Sequence, residues 1–107
     1  MAPILGAGPT KFGKWVDPKV ISAGDFLRIE NAATKIKQPI TVVGSRARGE
    51  AKSFSDWDYV IEGLTHKEQK SLKNSLPGSK SLLDITPRNI DIFEKLDPTK
   101  PYITINP

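Results

Sequence analysis

Two aspartates with one aromatic residue between them, Asp56 and Asp58, follow the dipeptide Gly44-Ser45 after a spacer of ten residues. On a strand, residues i and i+2 project from the same face, so the two carboxylates would lie together. Two close carboxylates cannot both stay ionised without a counter-charge. Mg²⁺ prefers hard oxygen ligands and supplies that charge. The pair therefore predicts a divalent-metal site, against the alternative of two solvated aspartates at the start of a strand.

A third carboxylate on a neighbouring strand would complete a two-metal site. Asp91 is the favoured candidate, because it is the single acid inside the apolar strand pattern NIDIF. Asp84, in the run LLDITP, competes for the same role.

Gly44-Ser45 has the residue types of a phosphate-binding turn. A glycine at the end of a strand lets the backbone approach a phosphate, and the serine hydroxyl and following amides can donate to its oxygens. Arg46 and Arg48 could neutralise a leaving pyrophosphate, although solvated loop charges are an equal alternative. Together with the aspartates, these residues predict a two-metal attack on the α-phosphate of a nucleoside triphosphate.

The elements that must position these residues form a small α+β (α/β-like) domain. Apolar spacing, caps and alternation predict a mixed sheet of about four strands with helices packed on one side. A capping box, Thr65 with Glu68, opens the second helix, and Pro77-Gly78 stops it. The predicted helices are 22–37 and the segment from 65 to 76, and the predicted strands are 39–44, 56–61, 89–93 and an edge strand at 102–105. A turn from Asp97-Pro98 to Pro101 is predicted between the last two strands.

Length and composition limit the function classes. A chain of 107 residues fits one domain, here predicted as residues 21–107 after an extended arm or linker at residues 1–20. Its net charge of +4 favours polyanionic partners, with a solvated basic surface as the alternative. The absence of cysteine excludes disulfides and thiolate metal sites. No apolar run is long enough to predict a membrane span.

The run Val43-Gly44-Ser45, followed after ten residues by Asp56-Trp57-Asp58-Tyr59, resembles the signature of the DNA polymerase β-type nucleotidyltransferase superfamily. The stretch GSRARGEA is similar to its minimal members. The wider pattern, with NIDIF and a closing strand, resembles nucleotidyltransferase-like C-terminal toxin domains of bacterial polymorphic toxins. The resemblance covers residues 25–106.

The resemblance implies a role for each matching residue. Gly44 and Ser45 would bind the triphosphate, and Asp56 and Asp58 would hold two magnesium ions, for which manganese could substitute. Asp91 would be the third ligand and would help to activate the attacking hydroxyl. The implied reaction transfers a nucleotidyl group to a tRNA or other RNA, or to a protein hydroxyl, and releases pyrophosphate.

The resemblance also implies a biological setting. A toxin domain would be delivered into a target cell, would act in the bacterial cytoplasm, and would be opposed by a cognate immunity protein. Two alternatives stay open: a minimal antitoxin that adenylylates a partner toxin, and a degenerate, non-catalytic module that binds nucleotide or RNA. The intact set of three aspartates argues against the degenerate module.

Overall fold

The computed structural model describes residues 11–12, 20–52, 55–78 and 90–107. Three helices and five strands lie in this part of the chain. In chain order they are β1 (Lys11–Phe12), α1 (Ala23–Ile36), β2 (Ile40–Val43), α2 (Ser45–Arg48), β3 (Trp57–Val60), α3 (His66–Lys73), β4 (Ile90–Phe93) and β5 (Ile103–Ile105).

The strands form one mixed sheet in the order β1-β5-β2-β3-β4. β3 and β4 are parallel, and the other neighbouring pairs are antiparallel. The prediction that 102–105 is an edge strand was wrong, because β5 lies between β1 and β2. The two-residue β1 takes the edge instead, within the segment predicted to be an arm. Whether residues 1–20 otherwise form an arm or linker stays a prediction.

The predicted caps define where the helices begin. The Ser22 side chain accepts a hydrogen bond from the backbone N–H of Asp25 at 3.2 Å and caps α1. Thr65 and Glu68 form a reciprocal capping box at α3, with both side-chain to backbone bonds present. The helix that follows ends at Lys73, before Pro77.

The two faces of the sheet differ in what covers them. One face carries Ile40, Val42, Trp57 and Tyr59, which pack in a common core with buried residues of α1 and α3. Strand alternation sends the intervening residues to the opposite face. The prediction of a small mixed sheet with helices on one side is therefore confirmed, with one additional short strand. None of the described helices is long and apolar enough to cross a membrane.

Residues 94–101, which we call the strap, cross the sheet face that lies away from the helices. β4 ends at Phe93, in register with Val60, whereas β5 begins at Ile103, in register with Val42. The connection must therefore run back along the strands and pass over β3 and β2. Leu96 of the strap lines a cleft on this face together with Thr41 and Val60. Thr41 and Val60 are each only 7% exposed.

Candidate functional site

The carboxyl groups of Asp58 and Asp91 meet on the face of the sheet opposite the helices. The two residues are register partners in the parallel pair β3–β4. Burial raises the pKa of the Asp58 carboxyl, and the charges of Asp91 and Asp56, with a hydrogen bond to Asp91, raise it further. The positive charge of Arg48 lowers this pKa. At the Asp58 carboxyl, burial and the neighbouring carboxylates thus outweigh the opposing charge of Arg48.

Asp56 lies at the edge of this group. It immediately precedes β3, and its side chain is exposed. Within the described ranges, no three His, Cys, Asp or Glu residues are close enough to form a ready-made metal cage. The three-carboxylate ligand set therefore stays a prediction, built on a close pair with a nearby third acid. Asp84, the alternative third ligand, lies outside the described residues.

Gly44 allows the backbone of the β2–α2 turn to pass against the Asp58 carboxyl. Its φ of 72° and ψ of −154° fall in a region that is essentially restricted to glycine. A Cβ added there would lie 2.5 Å from Oδ2 of Asp58. The Gly44 carbonyl also accepts hydrogen bonds from the N–H groups of Ala47 and Arg48, both at 3.0 Å. Ser45, half-buried, follows as the first residue of α2.

Arg46 and Arg48, the two arginines of α2, contact different parts of the structure, although the sequence predicted the same role for both. Arg46 donates from Nη2 to the Ser55 carbonyl at 2.7 Å, and its guanidinium lies 4.6 Å from the ring centre of Trp57. Trp57 belongs to the core on the helix side of the sheet. Because Arg46 contacts both Trp57 and the Ser55 carbonyl, it supports the loop before β3. Arg48 instead lines a cleft with Asp58. The structure thus brings Arg48 to the Asp58 carboxyl, whereas Arg46 packs on Trp57 beside the loop that leads into β3.

A cleft of about 220 Å³ lies between the β2–α2 turn and the Asp58 carboxyl. Its walls include Gly44, Arg48 and Asp58, and the strap closes its other side. The sequence did not predict the lining residues at the end of β4 and in the strap, which include Phe93, Lys95, Asp97, Lys100 and Pro101. The local pattern predicted only a turn near residue 97, and a turn does not show which face of the sheet the chain crosses.

The donor chemistry of this cleft fits a divalent cation. Its carboxylate oxygens are the hard ligands that Mg²⁺ and Mn²⁺ take in proteins. The raised pKa of Asp58 has like-charge repulsion among its causes, and a bound cation would remove that repulsion. Asp58 and Asp91 are therefore the residues best placed to hold a metal, with Asp56 next to them.

Comparison with known proteins agrees with this geometry. No curated protein and no solved structure matches the chain significantly. A family model does match: the model of the nucleotidyltransferase domain aligns with residues 28–106, a span that contains the β2–α2 turn and both paired aspartates. The chain therefore belongs to the nucleotidyltransferase domain family.

Proposed function

We propose that the protein is a metal-dependent nucleotidyltransferase that transfers a nucleoside monophosphate from a nucleoside triphosphate to a hydroxyl group. One observation carries this proposal more than any other. Asp58 and Asp91 meet in register on adjacent strands, and Gly44 of the family motif passes against the Asp58 carboxyl. A solvated pair of surface aspartates would not require a glycine at that position.

In the proposed reaction, the acceptor hydroxyl oxygen attacks the α-phosphorus of the triphosphate. A bond forms between that oxygen and the α-phosphorus, while the bond from the α-phosphorus to the oxygen that bridges it to the β-phosphorus breaks. Pyrophosphate leaves with the electron pair of the broken bond. The hydroxyl proton passes to a carboxylate, and Asp91 is the proposed base because its side chain is exposed and lies beside Asp58.

The remaining residues bind and orient. Gly44 and Ser45 are proposed to approach the triphosphate through the turn between β2 and α2, and Arg48 lines the same cleft. Asp56, Asp58 and Asp91 would hold Mg²⁺ or Mn²⁺, which, when bound, would offset the charge of the phosphates and polarise the α-phosphorus. Arg46 is proposed to act indirectly, by fixing the loop that leads into β3.

A transfer assay with two labels tests the reaction class. The protein is incubated with Mg²⁺, a total bacterial lysate and each nucleoside triphosphate in turn, labelled either on the α- or on the γ-phosphate. Nucleotidyl transfer places the α-label on an RNA or protein band and leaves the γ-label in pyrophosphate. Transfer of the γ-label above that of the same lysate without the protein would instead indicate a kinase and would refute the proposal.

Two variants connect the reaction to the site. Asp91→Asn should lower transfer by roughly a hundredfold or more, since it removes a proposed base and ligand. Glu94→Gln, which changes an exposed carboxylate three residues further along the chain, is the matched control and should keep transfer. Equal activity of Asp91→Asn and wild type would remove Asp91 from the mechanism.

The proposed acceptor is a tRNA, another RNA or a protein, and the proposed biological role is the toxin domain of a bacterial polymorphic toxin. The support is the sequence resemblance of GSRARGEA and the NIDIF strand to such domains. In that role the domain would act in the cytoplasm of the cell that receives it and would bind a cognate immunity protein. Expression in bacteria should stop growth, and Asp58→Asn should relieve the arrest. Normal growth with an active wild type would favour the antitoxin role instead.

A further inference from the structure

The strap brings two lysines to the candidate site from a part of the chain that is distant from the motif. Lys95 and Lys100 line the same cleft as Gly44, Arg48 and Asp58. Three cationic side chains therefore surround a cleft whose carboxylates are Asp58 and Asp97. The sheet topology produces this arrangement, since the strap must cross β3 and β2 on its way from β4 to β5.

The charges of these two lysines are not neutralised within the described part of the chain. The third cation of the cleft, Arg48, is ion-paired with Glu50, with 3.4 Å between Nε and Oε2. Lys95 and Lys100 have no carboxylate oxygen within 4.0 Å among the described residues, and both side chains are exposed. Each ammonium group can therefore bind an anion without first breaking an ion pair.

Asp97 does not serve as a partner for the lysines, because the strap uses it to build its own turn. Its Oδ1 accepts hydrogen bonds from the backbone N–H of Thr99 at 3.0 Å and from the Thr99 hydroxyl. These bonds are the main reason why the pKa of Asp97 is lowered, and the charge of Lys100 contributes least. The N–H of Lys100 then donates to the Asp97 carbonyl at 3.2 Å. The turn fixes the backbone from which Lys100 extends.

We propose that Lys95 and Lys100 bind the polyphosphate of the incoming nucleotide, so that the strap and the β2–α2 turn hold it from two sides. The inference rests on the proposed function and adds residues to it that the family motif does not contain. A polyphosphate fits better than an extended nucleic acid backbone, because the lysines face into a cleft of about 220 Å³. Flexible ammonium groups suit such a ligand, since they bind phosphate as point charges.

Binding of inorganic tripolyphosphate tests this site without requiring catalysis. Calorimetric titrations at low salt would compare the wild type with Lys95→Gln, Lys100→Gln and the double variant. Each single change should weaken binding by roughly tenfold, the loss expected for one charge-assisted hydrogen bond. Lys67→Gln is the matched control, since this exposed lysine of α3 lies on the helix side of the sheet. Melting temperatures check that every variant remains folded.

The outcomes separate the lysine site from the proposed function. Weakened binding in the strap variants supports the site even if the protein transfers no nucleotide, in which case only the proposed function fails. Where transfer occurs, the KM for the nucleotide should rise and the KM for the acceptor should not. The lysine site would be overturned if the strap variants bound tripolyphosphate within about twofold of the wild type, or if the Lys67→Gln control lost as much affinity as they do. It would also be overturned by an effect confined to the acceptor KM, or by a wild type that binds no tripolyphosphate.

Discussion

Replacing Gly44 with alanine tests the central geometric feature of the site, the contact between the β2–α2 turn and the Asp58 carboxyl. Two costs combine at this position. Its φ and ψ lie in a region where a residue with a Cβ is strained by about 1–3 kcal/mol. The new Cβ would also lie 2.5 Å from Oδ2 of Asp58, and such overpacking costs about 1–3 kcal/mol. We expect Gly44→Ala to lower the free energy of unfolding by about 3 kcal/mol and to reduce nucleotide transfer.

The chain offers two controls that separate these costs. Gly63 has a similar φ of 71° but no heavy atom within 4 Å of an added Cβ, so Gly63→Ala should cost only about 1–2 kcal/mol from backbone strain. Gly24 lies in α1 with open space around it, and Gly24→Ala should be neutral or stabilising by about 0.5–1 kcal/mol. Urea denaturation, followed by circular dichroism, would give the three values.

A double-mutant cycle then isolates the clash. Asp58→Ala removes Oδ2 and leaves only the Asp58 Cβ at 3.5 Å, which is an ordinary van der Waals distance. Gly44→Ala should therefore cost at least about 1 kcal/mol less in the Asp58→Ala background than in the wild type. Additive free energies, or a cost of Gly44→Ala no larger than that of Gly63→Ala, would refute the packing of this turn against the carboxyl.

Further predictions concern the frame around the site. Tyr59→Phe should lower stability by about 1–2 kcal/mol, because the buried hydroxyl donates to the Pro77 carbonyl at 2.7 Å. Burial is the main cause that raises the pKa of Tyr59 far above its usual value, so the wild type should lose stability as the pH rises above about 10, a loss that Tyr59→Phe should lack in alkaline urea melts. Thr65→Ala should cost about 1 kcal/mol of stability by removing the N-cap of α3, and an unchanged denaturation midpoint would exclude that role. Arg46→Ala should lower the melting temperature, because the guanidinium stacks on Trp57, whereas a rise in the nucleotide KM alone would show direct binding.

Local signals in the sequence predicted most of the elements. Ser22 as a cap, the Thr65–Glu68 capping box and the alternation around Asp58 each depend on neighbouring residues, and each matches the structure. Asp91 could be singled out as a lone acid in an apolar strand, and the parallel register then brings it beside Asp58. The caps, the alternation and the choice of Asp91 needed no knowledge of distant pairing, whereas the position of Asp91 beside Asp58 depends on the strand register.

Features that depend on distant pairing or on side-chain direction could not be predicted in the same way. The interior position of β5 and the path of the strap follow from the strand order, which no local pattern encodes. Lys95 and Lys100 therefore escaped prediction as site residues, although Lys100 lies within the predicted turn and Lys95 lies two residues before it. Arg46 and Arg48 looked equivalent in the sequence, but residues two apart on a helix do not share a face. That geometry sends Arg46 to Trp57 and Arg48 to the cleft.

The most direct test of the proposed active site measures magnesium-dependent transfer of an α-labelled nucleotide by the wild type and by Asp58→Asn. Glu62→Gln, which changes an exposed carboxylate just beyond β3, is the control. We expect the wild type and the control to label an acceptor, and chelation of the metal to stop the reaction. Asp58→Asn should lose transfer by roughly a hundredfold or more while keeping its melting temperature. Undiminished labelling by a folded Asp58→Asn would contradict the proposed active site, because transfer would then not depend on the paired carboxylates of β3 and β4.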